Sequence, residues 1–139
     1  MWAVYALLSA VFASLTALFA KVGITGINST LATAVRTVFV LIMAWGMVAI
    51  TGHGQGLREL SGKSWCFLAL SGIATGASWL CYYKAMQTGP VTSVVTIDKF
   101  SLVLTMLLAA VFLGEAFNWK TALGAGLITA GTLLVAFAK

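Results

Sequence analysis

The stretch at residues 88–115, TGPVTSVVTIDKFSLVLTMLLAAVFLGE, decides the fold of this chain. A Gly-Pro pair at positions 89–90 interrupts any preceding helix. The following run, 91–113, is long enough to cross a bilayer as a helix. Within it lie Asp98 and Lys99, and each charge costs about 2.5–3.5 kcal/mol at the centre of a membrane helix. The pair therefore predicts either an ion pair that fixes helix packing or a substrate or coupling site that faces water.

The composition around this stretch is that of an integral membrane protein. Of the 139 residues, 61% are hydrophobic and only 8% are charged, whereas a soluble domain has about 25% charged residues. The net charge of +5 would suggest nucleic-acid binding in a soluble protein. Here most basic residues flank apolar runs, where lipid headgroups explain them better. We therefore expect the lipid bilayer, and no nucleic acid, as a partner.

Five apolar spans predict an all-α membrane protein with five transmembrane helices, which form one inverted-repeat-type unit. The predicted spans are about 2–20, 30–50, 65–86, 91–113 and 119–138, within a single domain that covers 1–139. The first span differs from a signal peptide, because no basic residue precedes it and Leu18 occupies the −3 position where a small residue is needed. The only long connection is expected at Thr51–Ser64.

Several features argue against an enzyme or a metalloprotein. The run GLRELSGKS at 56–64 looks like a phosphate-binding loop, but Gly56 and Gly62 enclose five residues where the motif needs four. Cys66 and Cys81 lie roughly 22 Å apart along one predicted helix, beyond the reach of a disulfide. No Cys/His spacing suits a metal. We expect no enzymatic activity, no metal site and no cofactor.

Small residues predict where helices approach each other closely. Gly72 and Gly76 form a G-x-x-x-G pair in the third span, and Ala122, Gly126 and Ala130 repeat at i, i+4 and i+8 in the fifth. Such edges allow another backbone to come near. The predicted contacts lie either within the subunit or across a dimer.

A polar strip is predicted on the fourth span. Asp98, Ser101 and Thr105 share one helical face at i, i+3 and i+7, and Lys99 lies on the neighbouring face. A strip of this kind is typical of a helix that lines a water-filled cavity. We therefore take these four residues as candidates for a substrate path.

Two further basic residues lie at the same end of the predicted antiparallel bundle. Arg36 falls about two turns inside the second span, where it either snorkels to the headgroups or enters a cavity. Lys84, near the end of the third span, can also snorkel. Asp98 is the only carboxylate at this end, so the cluster stays net positive unless an anion enters it. Both basic residues are further candidates for the substrate path.

The charges that flank the spans leave the membrane orientation undecided. One side has Lys21, Lys84 and Lys139, and the other has Arg58, Lys63 and Lys120. Three against three gives no bias under the positive-inside rule. An odd number of spans also puts the two termini on opposite sides. We therefore expect a homodimer, with the antiparallel arrangement favoured, as the two-chain equivalent of an inverted repeat.

The run at 82–115, YYKAMQTGPVTSVVTIDKFSLVLTMLLAAVFLGE, and GAGLITAGTLLV at 124–135 resemble the EamA domain of the drug/metabolite transporter superfamily. The resemblance is closest to its single-domain, five-span bacterial and archaeal members. Its most specific parts are I-D-K-x-S at 97–101 and F-L-G-E at 112–115. Similar sequences often have a proline where this chain has Thr96.

This resemblance implies a polytopic carrier of small metabolites or drugs, often an exporter, in the prokaryotic plasma (inner) membrane. Full-length members of the family have two five-helix units in opposite orientation, so a single unit is expected to dimerise. Two classes of function follow: a secondary transporter that works by alternating access, or a non-transporting accessory or assembly subunit. Polar residues within the bilayer favour the transporter. The sequence leaves the substrate, the direction and the coupling ion open.

Overall fold

The computed structural model describes residues 1–116 and 118–138, which fold almost entirely into helices. The six α-helices are α1 (Trp2–Gly23), α2 (Ser29–Thr51), α3 (Gly62–Thr88), α4 (Val91–Asp98), α5 (Phe100–Phe112) and α6 (Trp119–Phe137). α4 and α5 together make one span, so five segments are long and apolar enough to cross a membrane. The predicted five-span, all-α class is therefore confirmed. Lys139, one of the predicted flanking charges, lies outside the described residues.

Local capping residues set the ends of α2. The Asn28 side chain accepts hydrogen bonds from the backbone N–H groups of Thr30 (2.9 Å) and Leu31 (3.3 Å), which satisfies two donors that a helix start leaves open. At the other end, Gly52 has a φ of 71°, a left-handed conformation that glycine adopts without steric cost. The sequence thus starts and stops this helix with its own short-range signals.

The connection between α2 and α3 is more ordered than the predicted loop at Thr51–Ser64. A 3₁₀ helix, His53–Glu59, occupies most of it. α3 begins at Gly62, and the Ser61 hydroxyl accepts a hydrogen bond from the backbone N–H of Ser64 at 3.1 Å. The glycine stop and the serine cap bring the helix ends close in sequence, so only a short segment remains between them.

The chain divides into two compact units. The central unit is Ala20–Gln87, and the terminal unit is Met1–Phe19 with the described part of 88–139. In the central unit, Gln87 donates hydrogen bonds from its amide to the backbone carbonyls of Ile24 (3.3 Å) and Ile27. Lys21 donates to the Met86 carbonyl from its ammonium group. These bonds tie the turn between α1 and α2 to the end of α3.

Buried residues in each unit lie where helices meet. The central unit buries Ile24, Tyr83 and Met86 near the end of α3. In the terminal unit α4 and α5 pack against α6, and Val103 and Ala125 are buried there. Most other apolar side chains are exposed on the isolated chain, as expected for helices that lipid or another subunit covers.

The five-span topology predicts that the two termini lie on opposite faces of the membrane. A reporter that is active on one face only is fused to each terminus in turn, in a variant with one fixed orientation. We expect one fusion to be active and the other silent, because an odd number of spans carries the chain across. Activity, or silence, of both fusions would contradict five spans.

Candidate functional site

A groove lies between α2 and α3 in the central unit. Its volume is about 400 Å³, within the range of roughly 300–1,000 Å³ typical of small-molecule sites. Arg36 supplies the charged part of the groove lining, beside Trp79. Apolar lining comes from Val40 and Leu68, together with the glycines at positions 72 and 76. The groove therefore combines one fixed charge with an apolar surface, the composition that small-molecule sites commonly have.

The guanidinium of Arg36 lies flat over an aromatic ring. Its Cζ atom is 3.4 Å from the centroid of the Trp79 ring, a cation–π contact that stabilises by about 0.5–2 kcal/mol. The Trp79 ring in turn makes an edge contact with Tyr82 at 5.3 Å and a tilted contact with Tyr83 at 5.7 Å. Arg36 is half-buried. The aromatic cluster thus holds the Arg36 side chain at the groove, and the choice between snorkelling and a role in a cavity stays open.

The stacking does not neutralise the charge of Arg36. Among its residues, the central unit has five basic side chains and one acidic side chain, Glu59. Glu59 ends the 3₁₀ helix that follows the far end of α2. From Arg36 to Thr51 is about 22 Å along the helix axis, so Arg36 has no carboxylate near it on its own helix. The groove is a site of positive potential.

Gly72 and Gly76, which the sequence assigns to close helix packing, form part of the groove lining. A Cβ built on either glycine meets no described atom within 4 Å. Within the described chain, no neighbouring backbone therefore uses this edge. Close packing at these glycines stays a prediction for contacts with another molecule.

The second predicted edge of small residues is also open. Ala122, Gly126 and Ala130 are exposed on α6. They lie about 60–140° around the helix from Ala125, which is buried on the face towards α4 and α5. The edge is therefore separate from the packing within the terminal unit, and its role in a dimer remains a prediction.

The fourth span is interrupted at the predicted charge pair. α4 ends at Asp98 and α5 begins at Phe100. The Lys99 N–H is shared between the carbonyls of Val95 (3.3 Å) and Thr96 (3.1 Å), and the Leu102 N–H bonds the Lys99 carbonyl at 3.0 Å. The bonds to the Thr96 and Lys99 carbonyls span three residues, as in a 3₁₀ turn, whereas the bond to the Val95 carbonyl is an ordinary α-helical one. The sequence alone predicted one continuous helix here.

A threonine bonds back to its own helix just before this turn. The Thr96 hydroxyl donates to the Thr92 carbonyl at 2.6 Å, a bond that often bends helices slightly. Thr37 and Thr75 make the same bond inside regular helices, so this bond alone does not account for the irregular turn.

The polar strip faces away from the packing of its own unit. Ser101 and Thr105 lie about 160° around α5 from the buried Val103. Asp98 and Lys99 are exposed as well. No hydrogen bond or ion pair joins the Asp98 carboxylate to a described residue of its own unit. In a membrane, such a strip requires water or another protein surface to cover it.

The predicted substrate-path residues divide between the two units. Arg36 and Lys84 belong to the central unit, and Asp98 and Lys99 belong to the terminal unit together with Ser101 and Thr105. Lys84 is exposed on α3. The structure gives Arg36 a partner that sequence reasoning missed, namely Trp79. The sequence could have predicted this contact, because Arg36 and Trp79 both lie about 10–14 Å from the same end of an antiparallel helix pair.

Comparison with known proteins finds one matching family and one similar protein. The pattern that defines the EamA-like transporter family matches residues 1–137. A Sinorhizobium protein named "Uncharacterized transporter in cobO 3'region" is 50% identical over 135 residues, which are 97% of this chain and 96% of that protein. No solved structure gives a significant match to the chain.

Proposed function

The chain belongs to the EamA-like transporter family and is a multi-pass membrane transporter, and we propose that it is a secondary carrier that exports small metabolites or drugs. It works by alternating access in the prokaryotic plasma (inner) membrane. The carrier is a homodimer, because full-length members of the family have two five-helix units and this chain supplies one. It has no enzymatic activity of its own.

The irregular turn in the fourth span carries this proposal. The backbone stays right-handed and hydrogen-bonded through Lys99 (φ −65°, ψ −13°), so the turn tightens one continuous span. A short 3₁₀ stretch inside a helix often marks a functional hinge. Here the turn coincides with Asp98 and Lys99 and continues as the hydroxyl strip of Ser101 and Thr105. A charge pair at an irregular turn supports a path that alternately opens to each side of the membrane.

Water access to the strip tests the proposal. Ser101→Cys and Thr105→Cys are made in a background in which Cys66 and Cys81 are replaced by alanine. A membrane-impermeant, charged maleimide is then applied to intact vesicles. We expect both cysteines to react, and a transported substrate to slow the reaction, because the strip lines an aqueous path.

The matched control is Leu107→Cys. Leu107 lies about 120° around the helix from Ser101 and about 160° from Thr105, and it is also exposed on the isolated chain. It is expected to stay unreactive, because lipid covers it in the membrane. Equal protection of all three cysteines would contradict a water-lined path. It would favour a non-transporting accessory subunit, in which the strip contacts another protein.

A further inference from the structure

We infer that the groove between α2 and α3 binds a small organic anion, with a carboxylate on Arg36 and a compact apolar body on the glycine floor. The inference rests on the proposed function, because it names the class of substrate that the carrier moves. It commits to soluble carboxylates, since the groove offers one fixed positive charge beside an apolar surface.

The orientation of Arg36 suits an oxyanion. The stack on Trp79 uses one face of the guanidinium, and the N–H groups point outward from its edges. Those edges match the two oxygens of a carboxylate, which arginine binds in a bidentate manner. Because the aromatic ring fixes the plane of the guanidinium, little side-chain freedom is left to lose when the anion binds.

The hydroxyl groups of the lining leave Arg36 as the main donor. Thr37 donates its hydroxyl proton to the Thr33 carbonyl, and Thr75 donates to the Ser71 carbonyl, each at 2.8 Å. Both threonines therefore present oxygen lone pairs to the groove, which do not attract an anion. The Ser71 hydroxyl has no partner among the described residues and is available as a second donor.

The rest of the groove suits a flat apolar body. At Gly72 and Gly76 the backbone forms the floor, with no described atom within 4 Å of an added Cβ. Val40 and Leu68 flank that floor. A cavity of about 400 Å³ holds a single ring with a short substituent. Larger side chains at the two glycines would occupy the same space.

Benzoate is the test ligand, because it is a small carboxylate with a flat, single-ring apolar body. Radiolabelled benzoate is bound to the full-length protein in phosphatidylcholine nanodiscs, with benzamide and benzylamine as neutral and cationic competitors. We expect saturable benzoate binding that neither competitor displaces at matched concentration. Absence of saturable binding, or displacement by benzamide as strong as by benzoate itself, would overturn the inference.

The contribution of Arg36 is tested by removing its charge. Arg36→Gln is expected to weaken benzoate binding about tenfold or more, because a charge-assisted bidentate contact is lost. Arg58→Gln makes the same substitution on the exposed 3₁₀ helix and is expected to bind as the wild type does. Equal binding by the wild type and by Arg36→Gln would overturn the inference.

Filling the groove gives a second test that does not depend on Arg36. Gly76→Leu is expected to fold, since the space around its Cβ is open, and to lose most benzoate binding. If it binds like the wild type, the groove is not the site. If it instead separates a dimer into monomers, the glycine edge is a subunit contact, and the assignment of the groove is likewise overturned.

Two further measurements separate the possible causes of failure. Phosphatidylglycerol added to the nanodiscs is expected to leave benzoate binding unchanged, and strong competition by this lipid would make a headgroup phosphate the anion on Arg36. Proteoliposomes then test transport separately. Benzoate binding that depends on Arg36, without any transport, would contradict the carrier and not the anion site. Transport without a role for Arg36 would contradict the anion site alone.

Discussion

Asp98→Asn is expected to give a folded protein whose transport per folded molecule falls about ten- to hundredfold. The interactions of a charged group are each worth about 1.5–3 kcal/mol, which corresponds to this range in rate or affinity. Asp98 lies at the interruption of the fourth span, is exposed on the isolated chain and has no described partner in its own unit. Its charge is therefore available to the substrate path, and the amide removes it with little change in shape.

The comparison that decides the role of Asp98 is transport normalised to the amount of folded protein. If Asp98 only held helices together, removal of one partner of a buried pair would cost about 3–5 kcal/mol and lower the folded fraction. Asp98→Glu would then restore part of the folded amount. Glu115→Gln serves as a matched control, because it removes the other carboxylate of the terminal unit outside the helices. Normal transport per folded molecule by Asp98→Asn would make the charge pair structural.

The five spans were predictable from the sequence because the relevant signals are local and strong. Apolar runs of about twenty residues indicate transmembrane helices. Asn28 and Gly52 start and stop α2 by hydrogen bonds over two to four residues. The 3₁₀ helix at His53–Glu59 was missed, since polar loop composition does not distinguish a loop from a short helix. The irregular turn at Lys99 was missed as well, because no proline or glycine marks it and threonines elsewhere in the chain make the same back-bond inside regular helices.

The candidate site was only partly predictable, because it depends on which side chains meet across helices. The sequence singled out Arg36 by its charge and did not pair it with Trp79. Only the structure brings the two into contact at 3.4 Å. The glycine pair at 72 and 76 has two physical uses, close packing or an open floor. The spacing of glycines along one helix does not distinguish close packing from an open floor. In the isolated chain, the empty space around a Cβ added at either glycine shows an open floor.

The antiparallel dimer predicts a second large effect on transport. It appears when the balance of positive charge on the two sides of the membrane is changed, so that every chain inserts in the same orientation. Two variants fix the orientation of the chain in opposite ways. Gln55→Lys with Gly56→Lys adds positive charge to the 3₁₀ helix, and Arg58→Gln with Lys63→Gln removes positive charge from that helix and from the start of α3. Gly56 accepts a side chain, since its φ is negative or extended and an added Cβ meets no described atom within 4 Å. The positive-inside rule then holds this segment in the cytoplasm in the first variant and outside in the second.

Each oriented variant expressed alone is expected to lose transport to background, because an antiparallel pair needs one molecule of each orientation. Co-expression of the two variants is expected to restore transport, since together they supply both halves. The reporter fusions at the termini confirm the orientation of each variant, and a mixed pair that carries Asp98→Asn in both chains is the inactive control. Full transport by one variant in molecules shown to be uniformly oriented would contradict the antiparallel arrangement. That result would leave a parallel dimer, or a single chain, as the transporting unit.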